Sequence, residues 1–532
     1  MDDRKPTIVD NIVIGKRGKV KTDGISKILL DSLSKTPNFI GQINADTGEK
    51  ISFGELKDRS IRCALWLRKQ GIGKDDVICI STPNQTNDCI PILASFYVGA
   101  IISPWFYKLP SDTIRRYCKL TKPKVIFTSN QSIEQLVQIA KETGINCKFV
   151  TYEKYKDYPS LNDIMSDQND DEVKNFEHTE PEDQSKQVGM IFFSSGTTGV
   201  PKGTILPYHC LTNHRMEAVG ITEGMNVLWY SAMSWITGVL LVIHCIEQKA
   251  TRIINSTFDP TTAYRVIKEY EVNLIFISPT FLVRMFDNDH IDLPSLQYIF
   301  CGGAKSSAAA LERVRKKLPN VLVSNCYGMT EAGGAIAGQT RACRKSDSIG
   351  YICYNTKLKV LDPRNGKILG PNQEGEFCFK MDHIMSGYLD SPEETMSVLD
   401  SEGWIHSGDL GYYDETGELS LTDRMKEVIF YQNQRIPPSQ IQKILTEHPA
   451  VASVVIVPVP HEIDLERPFA FVKKTPGAQV TAEELVDLPA EYDENYRLSG
   501  GLVFIEDFPL NSSQKVDMQE LKRLAKIYAL KA

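Results

Sequence analysis

From Lys50 to Gly144 short apolar runs alternate with longer amphipathic ones, and this rhythm constrains the fold more than any single motif does. Residues 50–53, 77–80 and 124–128 read as strands, and 56–70, 90–98 and 133–142 as helices. Gly71 and Gly144 stand where helices end. Strands that alternate with helices pair in parallel, because each helix carries the chain back across the sheet. The rhythm resumes with a helix at 263–270, strands at 274–278 and 296–300, and a helix at 308–317. The fold class expected is therefore α/β, with layered sheets in a large N-terminal part. Residues 1–50 read as a leading segment, with a turn at Asn44-Ala-Asp-Thr-Gly48.

After about Asp347 the pattern becomes rich in strands and turns, which predicts a β-rich subdomain. Asp362-Pro-Arg-Asn-Gly366 and Asp414-Glu-Thr-Gly417 are hairpin signals. Beyond Arg424 a helix at 440–448, strands at 452–457 and 502–505 and a helix at 518–530 predict a small α+β domain. The chain has 532 residues, too many for one core. The division expected is an N-terminal domain at 1–424 and a C-terminal domain at 425–532. Between 166 and 187 eight carboxylates, from Asp167 to Asp183, crowd a stretch with few large apolar residues, which reads as a flexible surface linker.

Composition narrows the function. A net charge of −7 argues against a nucleic-acid surface. The 12 cysteines show no Cys-x-x-Cys pair, so they read as reduced, buried thiols. The N-terminus is polar and has no signal-peptide core. Residues 227–246 carry no Asp, Glu, Lys or Arg, yet Ser231, Ser234, Thr237, Gly238 and His244 interrupt them. They read as two buried elements rather than a membrane span. The last residues do not form the Ser-Lys-Leu peroxisomal signal.

Several loops carry chemistry. An apolar run at 188–193 opens into Ser194-Ser195-Gly196-Thr197-Thr198-Gly199, with Lys202 just beyond. Backbone N–H groups, hydroxyls and an ammonium suit a polyphosphate. It is no Walker loop, because the second glycine of that motif falls on Pro201. Taken alone, the cluster reads equally as an ordinary strand-to-strand loop. Cys301-Gly302-Gly303-Ala304 bares backbone at a strand end, for a flat ligand or simply for a tight turn. Asn325-Cys-Tyr-Gly-Met-Thr-Glu331 offers Tyr327 for stacking on a base and Glu331 as a hard oxygen donor; the alternative is an exposed Glu that starts a helix. In Trp404-Ile-His-Ser-Gly-Asp409 the carboxylate follows a glycine turn and suits a ribose. Asp423-Arg-Met-Lys-Glu427 alone is a charged turn.

In this order, with Gly375-Glu376, Gly387-Tyr388 and Lys515 added, the motifs resemble the adenylate-forming superfamily from about Asp23 to Leu530. That superfamily includes acyl-CoA synthetases, 4-coumarate:CoA ligase and the beetle luciferases. The resemblance implies a large N-terminal domain, a mobile C-terminal domain hinged at Lys426, and a site between them. It implies two steps: a carboxylate attacks the α-phosphate of ATP, then a thiol attacks the acyl-adenylate. Lys515 would bridge acid and nucleotide. Lys202, Ser194, Ser195, Gly196, Thr197, Thr198 and Gly199 would hold phosphates, and Glu331 with Thr197 the Mg²⁺. Tyr327, Gly303, Ala304, Gly328 and Thr330 would line the adenine side, and Asp409 and Arg424 would take the ribose. Trp235 and Gly302 would line the acid pocket, although Trp235 also reads as core packing.

The activity implied is an ATP-dependent acid–CoA ligase for a fatty or other apolar acid, using ATP, Mg²⁺ and coenzyme A. A cytoplasmic location is expected, with a peroxisomal one suggested only by resemblance. Departures from the family pattern keep two alternatives open: a different acceptor, as in luciferases, or a non-catalytic binding protein. Gln514 replaces the usual glycine before the lysine, Phe430 a frequent lysine, and Asn433 a glycine. Trp235 stands where beetle luciferases carry histidine.

Overall fold

The computed structural model describes residues 4–194, 201–286, 292–306, 308–343, 345–346, 348–432, 434–511 and 515–529. Ser195, Gly196, Thr197, Thr198, Gly199, Asn433 and Gln514 lie outside the described residues. The fold is mixed α/β, with a large N-terminal domain and a smaller C-terminal one. Among the described residues the strands form four sheets.

Two of the sheets follow the predicted α/β rhythm. One runs Val77–Ser81, Ile101–Pro104, Val125–Thr128 and Lys148–Thr151 in parallel, and Val188–Ser194 pairs parallel to Ile101–Pro104. The other sets Leu274–Ile277, Tyr298–Cys301 and Leu322–Met329 side by side in parallel. Every residue of Val77–Ser81 and Leu274–Ile277 is buried, as parallel strands covered on both faces must be.

Helices Ile25–Lys35, Phe53–Lys69, Ile90–Tyr97 and Ile236–Gln248 supply the shared core between these sheets. The stretch at 227–246 resolves into the end of strand Asn226–Trp229 and most of helix Ile236–Gln248. Val239, Leu240 and Leu241 on that helix are fully buried, each contributing about 1.5–3 kcal/mol against exposure. Among the described residues no helix is long and apolar enough to cross a membrane. A bidentate pair between Arg252 and Asp88, at 2.6 and 2.8 Å, lies fully buried in the same region.

The third sheet is antiparallel and contains both predicted hairpins: Thr356–Leu361 with Ile368–Leu369, and Ile405–Tyr413 with Leu419–Arg424. It also recruits Thr7–Val9 and Ile12–Ile14, which the sequence reading left inside a leading segment. The turn between them holds Asp10 and Asn11 at φ of 51° and 62°, the left-handed region that Asp and Asn tolerate. The fourth sheet, from Ile429–Tyr431 to Gly501–Phe504, belongs to the C-terminal domain and carries helices Pro438–Glu447 and Met518–Ala529.

One expectation is corrected. Residues 166–187 are folded onto helix Phe53–Lys69 rather than forming a flexible linker. Asn169 caps the short helix Asp170–Lys174, Arg62 pairs with Asp170, and Lys69 with Glu172 at 2.7 Å. The Thr179 N–H donates to the Tyr97 carbonyl at 2.8 Å. The acidic run has its partners on a basic helix face that lies a hundred residues earlier.

Candidate active site

Val188–Ser194 and Lys202–Pro207 form an antiparallel pair, with Ser194 opposite Lys202. Lys202 is therefore fixed at a strand start and not in a loop. Its side chain is 9% exposed, its Nζ lies 3.1 Å from Glu394 and 5.1 Å from the Tyr388 ring centre. Tyr388 pairs into the same sheet through Gly387–Tyr388 and Lys202–Pro207, and its hydroxyl donates to Glu331 Oε1 at 2.8 Å. The Ser194 hydroxyl donates to the same oxygen at 3.3 Å. Glu331 is thus buried and anchored, not an exposed residue starting a helix. Carboxylate and hydroxyl oxygens therefore meet at Glu331 Oε1. This donor set suits a hard cation such as Mg²⁺.

Tyr327, Gly328 and Thr330 follow from strand Leu322–Met329 and the turn after it. Gly328 has a steric reason to be glycine: a Cβ there would sit 2.5 Å from the Gly334 carbonyl oxygen across the strand pair. The Tyr327 hydroxyl donates to Asp409 Oδ2 at 2.6 Å, and Arg424 Nε lies 2.9 Å from Asp409 Oδ1. Asp409 and Arg424 are direct partners across antiparallel strands. The Asp409 carboxylate is buried, and the Arg424 side chain is 56% exposed. Gly302, Gly303 and Ala304 follow the end of strand Tyr298–Cys301, with Gly303 at φ of 90° facing the Trp235 ring.

Lys515 comes from the C-terminal domain, and its Nζ lies 4.8 Å from the Trp235 ring centre. Burial and then the neighbouring Arg424 pull its pKa down to about 8, against the opposing pull of Glu331 and Asp409. Lys515, Ser194, Thr330 and Trp235 open onto a cavity of about 90 Å³. Its walls are largely aromatic, with Trp105, Phe106, Tyr117, Phe192 and Phe193; the Tyr117 and Phe193 rings stack with centres 3.4 Å apart. Trp235 precedes helix Ile236–Gln248, and its ring lies between Gly303 and Lys515. Lys426 sits in a turn where the Glu427 N–H donates to the Arg424 carbonyl.

The structure thus brings Lys515, Glu331, Ser194, Lys202, Tyr327, Thr330, Asp409, Arg424, Gly303 and Trp235 around one cleft. The sequence reading missed Tyr388 as a functional residue, although Gly387-Tyr388 served there as a marker. It also missed Glu394, the partner of Lys202. A lone Glu in the short helix Pro392–Met396 gives no signal of its own.

A family model described as AMP-binding enzyme matches residues 31–389, and one described as AMP-binding enzyme C-terminal domain matches residues 440–515. The chain belongs to this AMP-binding, adenylate-forming family. Among its relatives are 4-coumarate–CoA ligase 3 of Oryza sativa subsp. japonica, 28% identical over 508 residues (91% of this chain, 89% of the relative), and luciferin 4-monooxygenase of Photuris pensylvanica, 29% identical over 506 residues (91% and 92%). Among solved structures it resembles the luciferase-like enzyme of the nonluminescent Zophobas morio mealworm, with a TM-score of 0.72 and 26% identity over 78% of this chain and 99% of that one. ATP-bound MatB of Rhodopseudomonas palustris matches at a TM-score of 0.86 and 20% identity, over 95% and 100%, and shows the shared fold.

Proposed function

We propose that this chain is an ATP-dependent acid–CoA ligase that converts a fatty or other apolar carboxylic acid into an acyl-adenylate and then into a CoA thioester. The observation that carries this reading is the placing of Lys515 between the Asp409–Arg424 pair, Glu331 and an aromatic cavity. In the first step a carboxylate oxygen bonds to the α-phosphorus of ATP and the bond to pyrophosphate breaks. Two anions must approach each other, so the residues that matter are fixed cations and donors. Lys515 would neutralise the acid and the α-phosphate together. Lys202 would exchange Glu394 for the β- and γ-phosphates, with Ser194, Ser195, Gly196, Thr197, Thr198 and Gly199 closing around them. Asp409 would accept the ribose hydroxyls, while Tyr327, Gly303 and Ala304 flank the adenine. Glu331 with Thr197 would hold Mg²⁺, which when bound supplies charge neutralisation at the phosphates.

The aromatic cavity walls, Trp235 among them, favour an apolar acid, and Gly302 at the nearby strand end would complete the acid pocket. Residues 1–424 would act as the adenylation domain and 425–532 as a domain that turns about Lys426, after which the CoA thiol displaces AMP. A cytoplasmic or peroxisomal role in fatty-acid metabolism fits this reading. The test is pyrophosphate exchange and CoA-thioester formation over a panel of aliphatic and aryl acids. Exchange and thioester with at least one apolar acid are expected; no exchange with any acid overturns the proposal. One observation favours a second reading, in which the acceptor is not CoA: Phe430, where relatives often carry lysine, is 42% exposed. Exchange without thioester formation would select it.

A further inference from the structure

Gly375-Glu376 is one of the motifs that carry the family resemblance, and Glu376 lies beside the strand that bears Asp409. Strand Gly375–Met381 pairs with Ile405–Tyr413, setting Glu376 opposite Leu410 and Cys378 opposite His406. Regular antiparallel pairing would set Cys378 opposite Gly408. Two additional residues are therefore accommodated at Ser407-Gly408-Asp409, with Gly408 at φ of 69°. Such a bulge loses ladder hydrogen bonds and re-aims the side chain beside it, here Asp409.

The Glu376 carboxylate spans this gap. Its Oε1 accepts the Gly408 N–H at 3.1 Å, and its Oε2 accepts the His406 Nδ1–H at 2.9 Å. The rest of the bulge is tied down as well. The Ser407 hydroxyl donates to the Phe377 carbonyl at 2.7 Å and accepts the Asp409 N–H at 3.1 Å. His406 is held from its other side, with Nε2 3.6 Å from Asp400 Oδ2, while Asp400 Oδ1 accepts the Trp404 N–H at 2.9 Å. The Glu376 bond, opposed by burial, holds the His406 pKa above its ordinary value. The Glu376 side chain is only 13% exposed, so both of its bonds form in a partly desolvated setting where charged hydrogen bonds weigh more.

We infer that Glu376 is a positioning residue for nucleotide recognition: it holds the bulge that aims the Asp409 carboxylate at the ribose. The inference rests on the proposed role of Asp409 as the ribose acceptor. A purely structural glutamate and a positioning one differ in a measurable way. If Glu376 acts through Asp409, its removal matters only for nucleotides that own ribose hydroxyls.

The test is titration calorimetry of the full chain with ATP and with 2′,3′-dideoxy-ATP, both with Mg²⁺, for wild type, Glu376→Ala, Glu376→Gln and Asp409→Ala. The wild type is expected to prefer ATP, and Asp409→Ala to abolish that preference. Glu376→Ala should weaken ATP roughly tenfold, the scale of a lost hydrogen bond to a charged group, and leave dideoxy-ATP unchanged. Glu376→Gln keeps one acceptor oxygen and should fall between them. Equal weakening of both nucleotides by Glu376→Ala, or no weakening of ATP, overturns the inference while leaving the ribose reading intact. An unchanged ATP preference in Asp409→Ala overturns the ribose reading itself, and the inference with it. Thermal melts of each variant confirm that a folded protein was titrated.

Discussion

Lys515 carries a positive charge into a place where charge is costly, and that gives the chemistry a pH signature. With its pKa drawn down to about 8, the free-enzyme ammonium is charged below that pH and neutral above it. The sign follows directly: the cation that Lys515 supplies in the proposed adenylation step is lost as pH rises. The kcat/KM for ATP in pyrophosphate exchange should therefore fall on the alkaline side with an apparent pKa of about 8. Lys515→Arg should remove that alkaline limb, because a guanidinium stays charged above pH 12, while lowering the rate. A limb that persists in the arginine variant would assign it to another group. Lys515→Ala should cut exchange by about 10²–10³, the scale of losing one preorganised electrostatic contact. The lysine was legible in the sequence as a motif, but its altered acidity was not. That property comes from burial and from Arg424, 91 residues away in the chain, and no local pattern reports it.

At the scale of elements, most strands and helices announced themselves through periodicity, and the exceptions are instructive. The hairpin Thr7–Val9 with Ile12–Ile14 was missed because two three-residue strands carry no countable alternation; only Asp10-Asn11 hinted at the turn. The acidic segment was misjudged because its partners, Arg62, Arg68 and Lys69, belong to another element. Within the site, the strand pair that carries Tyr327 depends on Gly328. Gly328→Ala would bring a Cβ within 2.5 Å of the Gly334 carbonyl oxygen, which is backbone and cannot swing away. The expected outcome is a loss of about 1–3 kcal/mol in denaturant unfolding, with weaker ATP binding as Tyr327 shifts off Asp409. Unchanged stability and affinity would show that the two strands separate freely. Trp235 belongs to the same scale, since its ring stands between Gly303 and the cavity mouth at Lys515. Trp235→Ala should shift the acid preference toward bulkier acids in the exchange panel; an unchanged preference would assign Trp235 to packing alone.

Over the whole molecule, a large N-terminal and a smaller C-terminal domain were legible in the sequence, whereas their mutual pose was not, because it rests on contacts between distant residues. One of these contacts is specific. Helix Pro438–Glu447 begins after Pro437, and no side chain of its own caps it. Asp423, from the last strand of the antiparallel sheet, does so instead: its Oδ2 accepts the Ser439 hydroxyl at 2.5 Å and the Ser439 N–H at 3.2 Å. A carboxylate at a helix N-terminus satisfies exposed donors and complements the helix dipole. This cap joins the two domains in the pose that brings Lys515 to the cleft, and the proposed rotation about Lys426 would break it. Ser439→Ala removes the hydroxyl bond, worth about 1 kcal/mol, and should lower the ratio of this pose to the rotated one roughly fivefold. Pyrophosphate exchange should fall by up to that factor, while thioester formation from a supplied acyl-adenylate holds steady or rises, because in the proposed cycle that step needs the cap broken. Stopped-flow measurement of the two half-reactions separates these effects, and an equal fall in both would show that the contact supports the fold and not the pose.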